Sequence, residues 1–308
     1  MQPSYTLADL QNWRGLAHEG APVRLGVLGD PVEHSLSPQM QNAALEAFQL
    51  AMQYARFRIA PGELEEALRL LRGLDFTGAN LTLPHKVAAA TFVDELDPFA
   101  RSVGAINAIR VEGEKLIGFN TDGPGFARAI RQEFSVDLRD LRILLLGAGG
   151  GAGRAIAHQC AAEGCERLVL VNRTAEKAEQ LATELKQSFA EARVAGPVPR
   201  LQAIPWDEHA LRQQIANVDL VVNATSLGMK RADPPVLSAT ILAPHLMVYD
   251  TVYTRARTPL LVAAEEAGAR GANGLSMLLH QGALAFERWF DRDAPVEAMR
   301  AALASSAP

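Results

Sequence analysis

The chain has 308 residues, 48% of them hydrophobic, and a formal charge of −5. Its length suits two domains of ordinary size, and its apolar share supplies a core for each. The acidic balance argues against a general nucleic-acid or membrane-surface binder, so an anionic ligand must meet local positive groups. No apolar run approaches the ~18 residues needed to span a bilayer. Residues 1–10 show no basic segment followed by an apolar core, so no secretory signal is expected and a cytoplasmic setting is. Cys160 and Cys165 have no Cys/His cluster at zinc spacing, which points to structural places for both and to no metal.

In chain order, residues 7–16 offer a short helix and residues 23–28 a strand. A helix over 38–48 is opened by Ser37 as N-cap with Pro38 in its first turn. A strand at 53–59, an amphipathic helix at 61–71 and a strand at 78–83 follow. Helical stretches at 86–91 and 97–103 lead to a hairpin over 106–111 and 116–119. Alternating helix and strand imply an α/β sheet. The pattern then repeats, with strands at 142–146, 167–171, 200–203, 220–223 and 247–251 and helices between, the order of an open parallel sheet. Residues 190–200 read as a loop, and helices are expected over 276–290 and 295–304.

A glycine-rich turn interrupts the second half: Gly147-Ala148-Gly149-Gly150-Gly151-Ala152-Gly153. The apolar run 141–146 leads in and a helical pattern begins near Gly153. Strand, tight turn and helix N-terminus make a dinucleotide-binding unit, where bare backbone and free N–H groups approach a pyrophosphate. Gly147, Gly149 and Ala152 match the Gly-x-Gly-x-x-Ala spacing. The alternative is a tight turn without a ligand. The next strand ends Val171-Asn172-Arg173-Thr174, with Lys177 one turn on. An NAD site usually ends that strand in an acid; here Asn replaces it, and Arg, Thr and Lys suit a 2′-phosphate. NADP(H) is therefore the expected cofactor. Arg173 and Lys177 as plain surface charges remain the alternative, and Thr174 also suits a helix cap.

Three polar constellations mark the first half. Ser35 and Ser37 lie between a strand and a helix N-terminus, which suits a carboxylate ligand or, equally, a capped turn. In Asn80-Leu81-Thr82-Leu83-Pro84-His85-Lys86, polar residues alternate with Leu81 and Leu83, and Lys86 follows at the strand end. Gly104-Ala105-Ile106-Asn107 and Asn120-Thr121-Asp122-Gly123 form the third, with Asp122 at the crossing between halves. A lone Asp before Gly is most often a turn residue.

These segments, together with Asn223-Ala224-Thr225-Ser226, Asp250-Thr251-Val252-Tyr253, Thr258-Pro259-Leu260 and Gly274-Leu275-Ser276-Met277-Leu278 ending in Gln281, resemble the shikimate dehydrogenase family (shikimate/quinate 5-dehydrogenase) from about Arg24 to Trp289. The resemblance implies an α/β protein with an N-terminal substrate domain (1–121 plus 275–308) and a Rossmann-type NADP domain (122–274). The last helices return to the first domain. It implies Lys86 and Asp122 as catalytic pair, Ser35, Ser37, Thr82, Asn107, Tyr253 and Gln281 as substrate ligands, and small-molecule ligands shikimate and 3-dehydroshikimate. For the cofactor it implies Gly147, Ala148, Gly149, Gly150, Gly151, Asn172, Arg173, Thr174, Lys177, Thr225, Ser226, Val252 and Gly274. The implied activity is reversible NADPH-dependent reduction of 3-dehydroshikimate by a monomer or homodimer. A quinate/shikimate enzyme of broader range, or a ligand-sensing relative without turnover, is the alternative. Three positions depart from the family pattern: the glycine turn carries one residue more, Arg255 stands where Pro is usual, and Gln41 where His is frequent.

Overall fold

The computed structural model describes residues 4–16, 20–190, 198–230, 232–253 and 257–306. Arg255 and most of the expected loop at 190–200 lie outside them. The chain forms two compact units, one from residues up to Gly125 and from Leu278 onward, the other from Phe126 to Met277.

The first unit begins with α1 (Leu7–Gln11), capped by Thr6. It continues through β1 (Val23–Gly29), α2 (Ser37–Ala47), β2 (Gln53–Arg58), α3 (Leu64–Gly73), β3 (Gly78–Leu81), β4 (Glu95–Leu96), α4 (Pro98–Val103), β5 (Ala108–Glu112) and β6 (Lys115–Phe119). Leu64, Ala67, Leu68 and Leu71 recur at helical spacing, so α3 buries one stripe. The sheet order is β2-β1-β3-β5-β6-β4. β1 runs parallel to β2 and β3, whereas β5 is antiparallel to both β3 and β6. That register brings the end of β3, the start of β5 and the end of β6 to one edge.

Helix α5 (Asp122–Phe134) carries the chain into the second unit. There β7 (Arg142–Leu146), α6 (Gly151–Ala162), β8 (Arg167–Val171), α7 (Ala175–Leu185), β9 (Leu201–Ile204), α8 (Glu208–Ile215), β10 (Leu220–Asn223), β11 (Met247–Asp250), α9 (Pro259–Glu266) and β12 (Arg270–Asn273) follow. All six strands are parallel in the order β12-β11-β10-β7-β8-β9. Side chains alternate across a strand. Ile143, Leu145, Leu168 and Leu170 therefore enter one core, and Leu144, Leu146, Val169 and Val171 another. Both faces are covered, as an all-parallel sheet requires. Cys160 and Cys165 are unbridged and fully buried in the first of these cores. Helices α10 (Leu275–Phe290) and α11 (Val296–Ser306) return the chain to the first unit.

The sequence expectation fails at several points. Helix α2 starts at Ser37 rather than after it, with Leu36 in the N-cap position and no side-chain cap. The Ser35 hydroxyl accepts the Ser37 N–H at 3.3 Å, so the turn is closed one residue earlier and the Ser37 hydroxyl is not used as a cap. Strand β3 stops at Leu81; Leu83 is 53% exposed because the chain turns away after Thr82. Residues 86–91 form only a 3₁₀ turn at Ala88–Thr91. Asp122 opens a helix, α5, and is not the plain turn residue that was the alternative for it. Strands β4 and β12 were not expected. Among the described residues no helix is long and apolar enough to cross a membrane, and no group of His, Cys, Asp and Glu could hold a metal ion.

Candidate functional site

The common edge of β3, β5 and β6 gathers a polar cluster. Lys86 Nζ donates to Asp122 Oδ2 at 2.6 Å, with the two side chains 17% and 4% exposed. The Ile106 N–H bonds the Lys86 carbonyl at 2.8 Å and anchors the lysine backbone to the segment before β5. Asp122 opens α5, where the helix dipole favours a carboxylate. Asn120 holds that helix start: its Oδ1 accepts from the N–H groups of Asp122 (3.1 Å) and Gly123 (3.4 Å), while its Nδ2 donates to the Ala105 carbonyl.

Asn107 is the hub. Its Oδ1 accepts from Thr121 N at 2.7 Å. Its Nδ2 lies within reach of Asp122 Oδ1 (3.0 Å), Thr121 Oγ1 (2.9 Å) and Gln281 Oε1 (3.1 Å). An amide nitrogen has two hydrogens, so three acceptors compete for two donors. Gln281 comes from α10, and Gly125 packs so tightly on its backbone that a Cβ there would lie 2.8 Å from Gln281 N. His85, beside Lys86, bonds the Ile59 carbonyl at 2.8 Å, and burial pushes its pKa down.

Ser35 and Ser37 follow β1, whose carboxyl end lies beside that of β3. Arg56 fixes this turn by donating to the Ser35 carbonyl at 2.7 Å and to Gln39 Oε1 at 3.0 Å. Thr82, half-buried, fills the space a side chain on Gly29 would need.

In the second unit the glycine turn leaves β7 at the point where strand order reverses, between β7 and β10. Gly147 has φ +88° and donates to the Val171 carbonyl at 2.8 Å, which pins the turn to the end of β8. Gly150 is the N-cap of α6, no side chain caps it, and a Cβ there would meet nothing closer than 3.8 Å. A Cβ on Gly153 would overlap the Gly147 carbonyl oxygen. Gly149 sits against the Lys177 stem and donates to Asn172 Oδ1 at 3.4 Å. Arg173, Thr174 and Lys177 are exposed. Thr174 takes the N-cap position of α7, but its hydroxyl makes no capping bond. An open helix N-terminus beside exposed Arg, Lys and Thr fits the phosphates of a 2′-phosphorylated dinucleotide.

Three family models match the chain: the shikimate dehydrogenase substrate binding domain over residues 27–109, shikimate/quinate 5-dehydrogenase over 128–231, and the shikimate 5′-dehydrogenase C-terminal domain over 274–304. A shikimate dehydrogenase (NADP(+)) of Methanopyrus kandleri is 43% identical over 281 residues, 91% of this chain and 94% of the relative. The chain belongs to the shikimate dehydrogenase family. Another relative of that name, from Symbiobacterium thermophilum, is 44% identical over 90% of this chain and 92% of its own. The crystal structure of shikimate 5-dehydrogenase from Thermus thermophilus in complex with NADP(H) and shikimate superposes with a TM-score of 0.78 at 36% identity, covering 92% of this chain and 99% of that one.

The close backbone approach within the turn is that of Gly153 to the Gly147 carbonyl, and α6 begins at Gly151. Lys86, Asp122, Asn107 and Gln281 are joined by direct bonds. Tyr253 belongs to the second unit. Thr225 is half-buried, Ser226 exposed and Val252 buried in the loops after β10 and β11. Gly274 is required by packing, since a Cβ would overlap the Thr251 carbonyl. Asn120, Asn223 and Asp250 carry no role in the sequence pattern. All three close a strand or follow one, and a polar residue at a strand end was the available signal.

Proposed function

We propose that this chain catalyses the reversible reduction of 3-dehydroshikimate to shikimate with NADPH. The Lys86–Asp122 pair, its carboxylate buried and tied through Asn107 to Gln281, is the observation that carries the reading. The first unit holds the hydroxy acid and the second holds NADP(H).

Reducing a ketone leaves an alkoxide that must be protonated. Lys86 as an ammonium polarises the carbonyl and donates the proton; in the oxidation direction the neutral amine accepts it. Asp122 orients Lys86 and accepts a hydrogen bond from a ring hydroxyl. Asn107, with more acceptors than protons, exchanges one of them for a substrate hydroxyl, and Gln281 and Thr82 complete that set. The hydroxyls of Ser35 and Ser37 bind the carboxylate, helped by the N-terminus of α2, and Tyr253 lines the pocket.

The residues suited to the cofactor are Gly147 to Gly151 for the pyrophosphate, Asn172, Arg173, Thr174 and Lys177 for the 2′-phosphate, and Thr225, Ser226, Val252 and Gly274 for the rest. Bound there, NADPH supplies the hydride. The enzyme acts in the cytoplasm as a monomer or homodimer, on small molecules and without nucleic acid.

The test is absorbance of NADPH after shikimate and NADP⁺ are added to the purified protein. Shikimate-dependent NADPH formation, faster than with quinate or with NAD⁺, is expected. Binding of shikimate without turnover would overturn the reading in favour of a ligand sensor.

A further inference from the structure

The connection from β10 to β11 contains no α-helix among its described residues. Both it and the segment after β11 leave the sheet at its carboxyl edge, where an open parallel sheet takes its ligand. Loops of such length need ties of their own to hold one shape. Two fully buried side chains supply them: Asn223, the last residue of β10, and Asp250, the last of β11.

They are register partners in the parallel ladder, and Asn223 Nδ2 donates to Asp250 Oδ1 at 2.9 Å. Asn223 Oδ1 also accepts from Thr225 N (3.0 Å) and Thr225 Oγ1 (2.7 Å), and its Nδ2 donates to the Leu227 carbonyl at 3.1 Å. Leu227 N closes the loop on Thr225 Oγ1 at 3.1 Å. Asp250 serves the other segment. Its Oδ1 accepts from Val252 N at 3.1 Å and its Oδ2 from Thr258 Oγ1 at 2.6 Å. Gly274 N reaches the Val252 carbonyl at 3.3 Å from the far side.

This node is a poor way to join two strands. All of Asp250's bonds go to neutral groups, and burial raises its pKa. Fully buried positions of parallel strands are normally Val, Ile or Leu, and an apolar pair at these two strand ends would hold β10 to β11 without burying a carboxyl group. It could not hold the backbone of Thr225, Leu227 and Val252. A sheet of this order is built from two mononucleotide-binding halves. The glycine turn and residues 172–177 occupy the half formed by β7, β8 and β9. The loops held by the node belong to the other.

The geometry points to Asn223 and Asp250 as a positioning pair for the nicotinamide half of the cofactor, acting through the loops they hold and not by touching the ligand. This rests on the NADP(H) reading above. The test is calorimetric titration of wild-type protein, Asn223→Leu and Asp250→Asn with NADP⁺ and with 2′,5′-ADP, which carries the adenosine half alone. Each variant should weaken NADP⁺ about tenfold or more while 2′,5′-ADP stays within about twofold. Should either variant fail to fold, Thr258→Val removes one bond to Asp250, and the same selective pattern is expected at about threefold. Parallel loss of both ligands, or no loss of either, overturns the inference alone. Wild-type protein that binds neither ligand overturns the cofactor reading and the pair with it.

Discussion

Lys86 Nζ lies 2.6 Å from Asp122 Oδ2, and the acid is the more deeply buried partner, 4% exposed against 17%. A buried ion pair is a weak source of stability compared with apolar packing of similar volume. On the proposed reading its use is chemical. In Lys86→Met the carboxylate keeps its Asn107 bond and its place at the start of α5, so the fold should survive. Turnover should fall about 100- to 10,000-fold, with KM for shikimate little changed. Steady-state kinetics decide it, and near-normal kcat would remove Lys86 as the proton donor.

On the same proposed reading Asn120 acts indirectly. Its carboxamide caps α5 through Asp122 N and Gly123 N and ties the cap to Ala105. Asn120→Ala should lower stability by about 1 kcal/mol, the usual worth of an N-cap, and should also depress kcat because Asp122 loses its fixed backbone. Thermal melts with kinetics on the same sample test this. A melt shifted as expected with turnover intact would confine Asn120 to the fold.

Legibility in the sequence followed the reach of the interaction responsible. β7, β8 and β10 were expected residue for residue because their apolar runs are bounded by turns and packed on both faces. β12, Arg270-Gly271-Ala272-Asn273, is an edge strand with one neighbour and exposed residues, so no apolar pattern marks it. The start of α2 was misread because Ser-Pro is a common cap signal, whereas the Ser35 hydroxyl had already closed the turn. Lys86 and Asp122 stand 36 positions apart. Their meeting depends on the antiparallel register of β3, β5 and β6, which no local pattern encodes, and only family resemblance paired them. The close contact of Gly153 with the Gly147 carbonyl comes from the backbone path of the turn, which glycine spacing alone does not mark.

That contact separates two glycines of one turn by experiment. A methyl on Gly153 overlaps the Gly147 carbonyl, and backbone cannot move aside cheaply. Gly153→Ala should therefore destabilise the protein by about 1–3 kcal/mol, as overpacking does. Gly150 has φ −89° and open space around it. Gly150→Ala should leave the melting temperature unchanged or slightly raised, yet weaken NADP⁺ if, as proposed, a phosphate approaches this helix end. Equal effects on stability and binding from both variants would refute this division.

His158 on α6 sets a pH dependence of its own. Its Nε2 is buried without a hydrogen-bond partner, and burial, reinforced by the charge of Arg154, pushes its pKa down from 6.5 to about 4. In the unfolded chain the ring takes up a proton near its ordinary value; in the folded protein it resists until about pH 4. Between those values the unfolded state binds more protons, so stability is full above the upper value and declines as pH falls toward the lower. The slope can reach ~1.4 kcal/mol per pH unit. Asp219, whose pKa is lowered by its bond to Arg142, acts in a separate window, giving stability that is present above 3.8 and lost only below it. His158→Leu should make the decline between pH 6.5 and about 4 shallower, leaving the share of His85, whose pKa burial also pushes down, and should leave the loss below 3.8 in place. Chemical denaturation across this range measures the slope directly. A variant as acid-sensitive as the wild type in the upper window would place the proton uptake on another group.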